Sequence, residues 1–501
     1  MSLEYSPLES INETASTLLS NFLAGVTRPL SFRKAQMRAF LELCTNHQAE
    51  ICEALFKDLH KSSVESCAEI HTVVGELNKH LAHLDEWTAP TYPSVGLINK
   101  PNKVHIRSDP LGMVLIIGPW NYPFHLVMMP LVGAMSAGNT VVIKPSEVAP
   151  HTAALIARLV PRYLDERAYR VVLGSVAETT HLLSIKFDHI FFTGSCPVGK
   201  IVMAAAAKHL TPVTLELGGK SPVFIDAKSD MTIAARRMIY GKLLNSGQTC
   251  IAPDYVLCPK ASIPALVQEI KVAIEEFYGK DVQQSASFPR IINSNHFDRI
   301  TRLMDRTKGT VALGGKRDRN DLYIEPTVIT GVEWDDALME SELFAPVLPI
   351  LAVDDVREAI RQVNMHDQPL ALYVFSKDNA FISTVMDNTR SGSVVANDTF
   401  VQAIVPELPF GGVGPSGHGA YHGKVSFDTF THRRAAMIAP QAMEFANAVR
   451  YPPFVGEENK LLKAVFTGKL DRNFSTVVKM GTYVALVAAA AVAYKVYGPP
   501  S

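Results

Sequence analysis

Residues 113–147 read MVLIIGPWNYPFHLVMMPLVGAMSAGNTVVIKPSE, and their order decides the fold. MVLIIG (113–118) is a short, continuous apolar run, the pattern of a strand buried on both faces. A helical stretch over 126–137 follows, and then a second apolar strand, TVVIKP (140–145). Strand, helix and strand in this rhythm make a crossover unit, and repeated units build a parallel, doubly wound sheet. The alternation continues through a helix at 152–163, VVLG (171–174), a helix near Thr179, HIFFTG (189–194), a helix at 198–209 and VTLELG (213–218).

A second series opens at SPVFID (221–226). It runs through a helix at 231–244, the strand YVLC (255–258), a long helix at 263–277 and the strands VLPILAV (347–353) and LALYVFS (370–376). SGSVVAND (391–398) closes it, so a second α/β domain is expected, with Leu217-Gly218-Gly219 as the hinge. Upstream, apolar residues recur at helical spacing from Ile11 to Trp87, as in Ile51, Leu55 and Leu59. A Pro-punctuated stretch over 89–102 then leads into VHIRSD (104–109), which alternates like an exposed strand or hairpin arm.

Bulk properties bound the function. A chain of 501 residues exceeds what one core organises, and 47% apolar content supplies material for several. A formal net charge of −1 leaves no excess of basic residues to neutralise phosphates, which argues against a nucleic-acid partner. Six cysteines without CxxC spacing support neither a disulfide framework nor a zinc site, so no metal is expected and a reducing compartment fits. The opening MSLEYSPLESINETAS lacks the basic and apolar blocks of a signal peptide.

Four segments carry chemistry. In GQTC (247–250) a helix is expected to end at Gly247, and Pro253 blocks an immediate restart, so Cys250 falls in a loop that can present its sulfur. Cys44, Cys52, Cys67, Cys196 and Cys258 read instead as small buried apolar residues. In LELGGKSP (215–222), Glu216 ends an apolar strand ahead of two glycines. Desolvation there would raise its pKa toward the general-base range, while an edge-strand glutamate facing water is the competing reading. GPWNYPF (118–124) leaves a buried strand at its carboxyl end, where such sheets bind ligands, and Asn121 could donate its amide to an oxyanion or simply hold a turn. FTGSCPVGK (192–200) opens a helix with Gly194, Ser195 and Gly199, a place that favours phosphate although the spacing is not GxGxxG.

Taken together, the chain resembles the aldehyde dehydrogenase superfamily over nearly its whole length. The resemblance rests on GPWNYPF, VVIKPSE (141–147), FTGSCPVGK, LELGGKSP, GQTC, ESELFAPVLPI (340–350) and LPFGGVGPSGHGAYHGKVSFDTFTHRR (408–434), in that order. The tract YHGKVSFDTF (421–430) looks like the class 3 and fatty aldehyde dehydrogenase branch.

That resemblance implies a Rossmann-like NAD-binding domain over 1–87 and 109–217 and a catalytic domain over 218–408. It also implies a small β oligomerisation segment at 88–108 and 409–436, and with it a homodimer. Cys250 would be the nucleophile, Glu216 the general base, and Asn121 with the Cys250 backbone N–H the oxyanion hole. Lys144 and Glu147 would lie at the adenosine ribose, Gly194, Ser195 and Gly199 along the pyrophosphate, and Glu342 and Phe344 at the nicotinamide riboside. Glu147 would bond a ribose 2′-hydroxyl and repel a 2′-phosphate that Lys144 tolerates, so NAD is expected, with NADP also accepted. Two positions depart from the family pattern: Ala345 stands where the family has Gly, and Ser341 replaces the usual acid or Gln.

The implied reaction is oxidation of medium- to long-chain aliphatic aldehydes to acids through a thiohemiacetal and a thioester on Cys250. The same chemistry on aromatic or apocarotenoid aldehydes is an alternative. A catalytically silent scaffold and a thiol esterase are the competing classes. Beyond the core, residues 437–501 end in MGTYVALVAAAAVAY (480–494), uncharged and flanked by Lys479 and Lys495. A helix over 477–497 with snorkelling lysines would approach the roughly 30 Å of a bilayer core. A tail anchor facing the cytosol is therefore expected, on the endoplasmic reticulum first, with the mitochondrial outer membrane, peroxisome or lipid droplet as other hosts. An Ala-rich helix packed on the enzyme is the competing reading.

Overall fold

A computed structural model describes residues 3–96, 99–442, 444–447, 451–452 and 467 of the chain. The chain falls into two compact units, Met1–Thr88 with Asp109–His432, and Ala89–Ser108 with Arg433–Ser501.

Two sheets organise the larger unit. The first has strands Met113–Ile117, Thr140–Lys144 and Tyr169–Val171 running out to one side, and His189–Thr193, Val213–Glu216 and Gly417–His418 to the other. All pair in parallel except Gly417–His418, which lies antiparallel to the end of Val213–Glu216, placing Gly417 opposite Glu216. The strand Met113–Ile117 explains its own apolar run. Val114 and Ile116 face one core with the helices Leu30–Asn46, Ser63–Thr88 and His125–Ala137, while Met113, Leu115 and Ile117 face another with Leu8–Leu23. Strand order reverses between Met113–Ile117 and His189–Thr193, the switch point where doubly wound sheets open a ligand crevice at their carboxyl ends.

The second sheet has seven strands, ordered Ser393–Ala396, Ala371–Phe375, Pro222–Ile225, Tyr255–Cys258, Val347–Ala352, Thr327–Thr330 and Thr310–Leu313. Only the last pairs antiparallel. Val223 and Ile225 enter one core and Phe224 the opposite one, so this sheet too is covered on both faces. Two α/β layers match the expectation from the apolar runs. The antiparallel edges escaped it: Thr310–Leu313 is largely exposed and carries no apolar run, and Gly417–His418 is two residues long.

Gly417–His418 also comes from a stretch assigned above to the oligomerisation segment, yet residues 409–432 fall in the larger unit. In the smaller unit, the strand Lys103–Pro110 pairs with Thr431–Ile438 as a two-stranded sheet, and Thr91 bridges Ile106. The apolar tail at 477–497 lies outside the described residues. Among the described residues no helix is long and apolar enough to cross a membrane, and no group of three His, Cys, Asp or Glu could hold a metal ion.

Candidate active site

A cavity of about 820 Å³ lies where the carboxyl ends of the first sheet's strands meet the amino ends of the second sheet's. Asn121, Gly194, Ser195 and Glu216 reach it from the first sheet, and Cys250, Glu342 and Phe344 from the second domain.

The loop bearing Cys250 is held by an unusual backbone. The helix Met231–Leu243 stops four residues before the expected Gly247, and a 3₁₀ turn, Leu244–Gly247, follows. Asn245, Ser246 and Gly247 then take φ of 52°, 55° and 75°. For non-glycine residues this region costs about 1–3 kcal/mol each, so surrounding bonds must compensate. They are present. Asn245 Nδ2 donates to Asn121 O (2.7 Å) and Gln248 O (3.0 Å), and Gln248 Nε2 donates to Asn245 O and Arg290 O. At Gly247 an added Cβ would lie 2.3 Å from Ala345 O, so only glycine fits both the angle and the space. Cys250 emerges half-buried, its thiol pushed well up from its ordinary pKa by burial and by the Glu342 and Glu216 carboxylates.

Glu216 closes the strand Val213–Glu216 with 3% exposure, and neither carboxylate oxygen has a hydrogen-bond partner among the described residues. Burial raises its pKa well above the ordinary carboxyl range. Of the two readings open from the sequence, desolvation describes this residue and a water-facing edge does not. The Gly417–His418 strand pairs along Val213–Glu216, so Glu216 does not lie on an edge strand.

Asn121 is buried, and one of its amide N–H groups donates to Gln248 O at 3.0 Å. Its carbonyl accepts from Lys61 Nζ at 2.8 Å as well as from Asn245. Next to it, Tyr122 Oη lies 2.8 Å from Thr249 Oγ1, a second tie to the cysteine loop.

The cavity's other end suits a dinucleotide. Ser195 caps the 12-residue helix Cys196–Ala207 without any side-chain bond, which leaves first-turn N–H groups for an anion. Glu342 is a cavity carboxyl raised to about 8, by burial first and Asp254 second. Phe344, at φ 52°, meets Trp120 edge-on at 5.4 Å. The left-handed angle falls on Phe344 and not on Ala345, so the departure from glycine at 345 meets no positive-φ requirement.

Other expected residues lie elsewhere. Lys144 and Glu147 form an ion pair at 2.7 Å after the strand Thr140–Lys144 and do not line the cavity. Gly199 is buried inside its helix, where a Cβ would come within 2.8 Å of Leu217 Cδ2, so its smallness serves helix–strand packing. Cys196 lines the cavity, contrary to the buried reading given it, and Cys52 and Cys67 are half-buried with sulfurs 3.7 Å apart.

Sequence reasoning missed Lys61, Glu69, Asn245, Lys220 and Asp254. Lys220 Nζ bonds Asp254 Oδ2 (2.6 Å) and the carbonyls of Leu338 and Ser341, bracing the segment that carries Glu342. A lysine directly after the paired glycines was the available signal for it. Lys61 had none.

Comparison with known proteins places this geometry. Residues 13–436 match the model of the aldehyde dehydrogenase family. Aldehyde dehydrogenase family 3 member A2 of Rattus norvegicus is 46% identical over 486 residues, covering 95% of this chain and 98% of that protein. The rat "aldehyde dehydrogenase, dimeric NADP-preferring" is 47% identical over 447 residues, covering 89% and 98%. The substrate-bound structure of Staphylococcus aureus AldH superposes with a TM-score of 0.89 at 40% identity, covering 91% of this chain and 99% of that one. These proteins define a class of NAD(P)-dependent oxidoreductases. The chain belongs to the aldehyde dehydrogenase family, in its family 3 branch, and is an enzyme that oxidises aldehydes with NAD or NADP.

Proposed function

We propose that this enzyme converts medium- to long-chain aliphatic aldehydes to carboxylic acids, with Cys250 as nucleophile, Glu216 as general base and Asn121 as oxyanion donor. One observation carries the reading: a half-buried thiol, a buried carboxyl with no partner and a primary amide open on one cavity. Cys250 loses its proton to solvent in the open cavity, and the thiolate sulfur bonds the carbonyl carbon while the C=O π pair moves onto the oxygen. The resulting oxygen takes a hydrogen bond from the free amide N–H of Asn121 and from the Cys250 backbone, donors worth about 3 kcal/mol each to such a step. Bound nicotinamide dinucleotide supplies the two-electron acceptor. Glu216 then takes a proton from the water that attacks the Cys250 thioester, and the acid leaves.

Gly194 and Ser195 would hold the pyrophosphate, Glu342 the nicotinamide ribose, and Phe344 with Trp120 the ring. The ion-paired Lys144 and Glu147 would meet the adenosine ribose, favouring NAD while admitting NADP. A homodimer through 88–108 and 409–436 fits the name of the dimeric rat relative.

Chain-length preference is supported by the resemblance to the fatty aldehyde dehydrogenase branch and by the uncharged run 480–494, which would keep the enzyme at a cytosol-facing membrane, such as the endoplasmic reticulum, where such aldehydes partition. The test is kcat/KM for saturated aldehydes from two to sixteen carbons, with NAD and with NADP, in detergent and in lipid vesicles. A rise with chain length by about 10-fold or more supports the reading, each buried methylene contributing about 0.8 kcal/mol; a maximum at acetaldehyde or benzaldehyde opposes it. Removing 475–501 is expected to shift the protein from the membrane pellet to the supernatant.

A further inference from the structure

We propose that Lys61 and Glu69 act as a positioning pair for the reaction, fixing the Asn121 peptide so that its side-chain amide points at the developing oxyanion. The proposal rests on the assignment of Asn121 above. Lys61 is 1% exposed and Glu69 2%, and their ion pair spans 2.5 Å. A buried ion pair is a poor source of stability, because desolving both charges offsets most of their attraction. Here the pair's remaining contacts all converge on one segment. Lys61 Nζ donates to Asn121 O at 2.8 Å and lies 3.8 Å over the Tyr122 ring. Glu69 Oε2 accepts from the backbone N–H of His125 at 3.0 Å, the first residue of the helix His125–Ala137.

Residues 121, 122 and 125 are thus gripped by one buried cation and its counter-ion. The segment contains Pro119 and Pro123 and forms no strand pairing, so its position rests on ties to other segments: the Lys61 and Glu69 contacts, Asn121 Nδ2 to Gln248 O and Tyr122 Oη to Thr249 Oγ1. The same Asn121 carbonyl also accepts from Asn245, whose own N–H is held by Glu65 Oε2 at 3.1 Å. Glu65 and Glu69 lie one turn apart on the helix Ser63–Thr88. That helix face therefore registers the oxyanion loop against the nucleophile loop, and a reacting carbonyl must meet both at once.

The test uses the full-length enzyme in detergent with hexanal and NAD. The neutral variant Lys61→Met/Glu69→Gln retains an acceptor for the His125 N–H and leaves neither member of the pair as a lone buried charge. It is expected to lower kcat/KM by about 10- to 100-fold, as loss of an aligned donor does. Its thermal midpoint, its NAD affinity by fluorescence titration and the rate of Cys250 alkylation by iodoacetamide should stay within about two-fold or two degrees of wild type, since alkylation needs no oxyanion donor. In an Asn121→Ala background the same pair substitution should cost less than about two-fold, because both changes remove one function.

Wild-type kcat/KM in the pair variant, or losses that multiply with Asn121→Ala, overturn the proposal. An Asn121→Ala enzyme running at the wild-type rate would remove the assignment of Asn121 as well, which separates the two failures. Should the double variant not fold, Glu69→Gln alone is expected to cost about 3- to 10-fold with the same dependence on Asn121, and full activity there counts as refutation.

Discussion

Gly218 is the surface against which Glu342 rests: a Cβ at 218 would lie 2.2 Å from Glu342 Oε2 and 2.7 Å from its Cδ. The hinge glycine and the cavity carboxyl come from segments 124 positions apart, and neither can change without moving the other. Gly218→Ala is expected to displace Glu342 and raise the KM for NAD by about 10-fold, with a smaller change in kcat, since a ribose contact of about 1–2 kcal/mol is lost. NAD titrations at saturating aldehyde check this, and an unchanged KM would separate Glu342 from cofactor binding.

Burial sets the pH dependence. Cys250 and Glu216 both have raised pKa values, and in the proposed mechanism both must lose a proton to act. kcat/KM should therefore climb from pH 7 toward 9.5, without the plateau near neutrality that an ordinary carboxylate base would allow. Glu216→Gln should give a burst of NADH and then stall at the acyl-enzyme; undiminished steady-state turnover would rule out the general-base role. The sign for stability is opposite. A carboxyl whose folded pKa is raised favours the folded state while protonated, so its contribution is lost as pH rises through that value.

Lys242 makes a separate prediction. Its ammonium is buried without a hydrogen-bond partner among the described residues, 4.0 Å from Asp254 Oδ1, and burial lowers its pKa to about 8. The unfolded chain binds this proton up to about 10.5, so the folded state is penalised below pH 8 and released between 8 and 10.5. Lys242→Met should raise stability at pH 7 by up to about 3 kcal/mol, with the gain shrinking as pH rises toward 10.5. Thermal midpoints at pH 7 and 10 test it.

Gly247→Ala should be among the most damaging single-methyl changes. It combines φ of 75° with a 2.3 Å approach to Ala345 O, directly before the nucleophile loop. A loss of at least about 2 kcal/mol in stability is expected, together with a fall in Cys250 alkylation rate as the thiol shifts. Denaturant unfolding and iodoacetamide kinetics report the two effects separately.

Much of this was legible in one dimension. Apolar runs such as MVLII and IFF indicate strands covered on both faces, because consecutive apolar side chains point to both sides of the sheet and each side must be shielded from water. Glu216 and Gly194 stood out because each ends such a run with a reactive or small residue, Asn121 because it lies in the loop that leaves one, and Cys250 because Gly247 and Pro253 set it in a loop. Lys61 and Glu69 did not, since a lysine and a glutamate at a helix start look like any solvated pair until another segment covers them. The short antiparallel strand at 417–418 was hidden likewise, although it pairs beside Glu216.

The sequence by itself therefore determined the two α/β layers and singled out the groups proposed to react. Both follow from local alternation and from side-chain chemistry. Tertiary structure alone decided which of those groups carry charge and which way they point. Protonation depends on how completely distant segments exclude water, and the aim of Asn121 depends on Lys61 and Asn245, which lie 60 and 124 residues away along the chain.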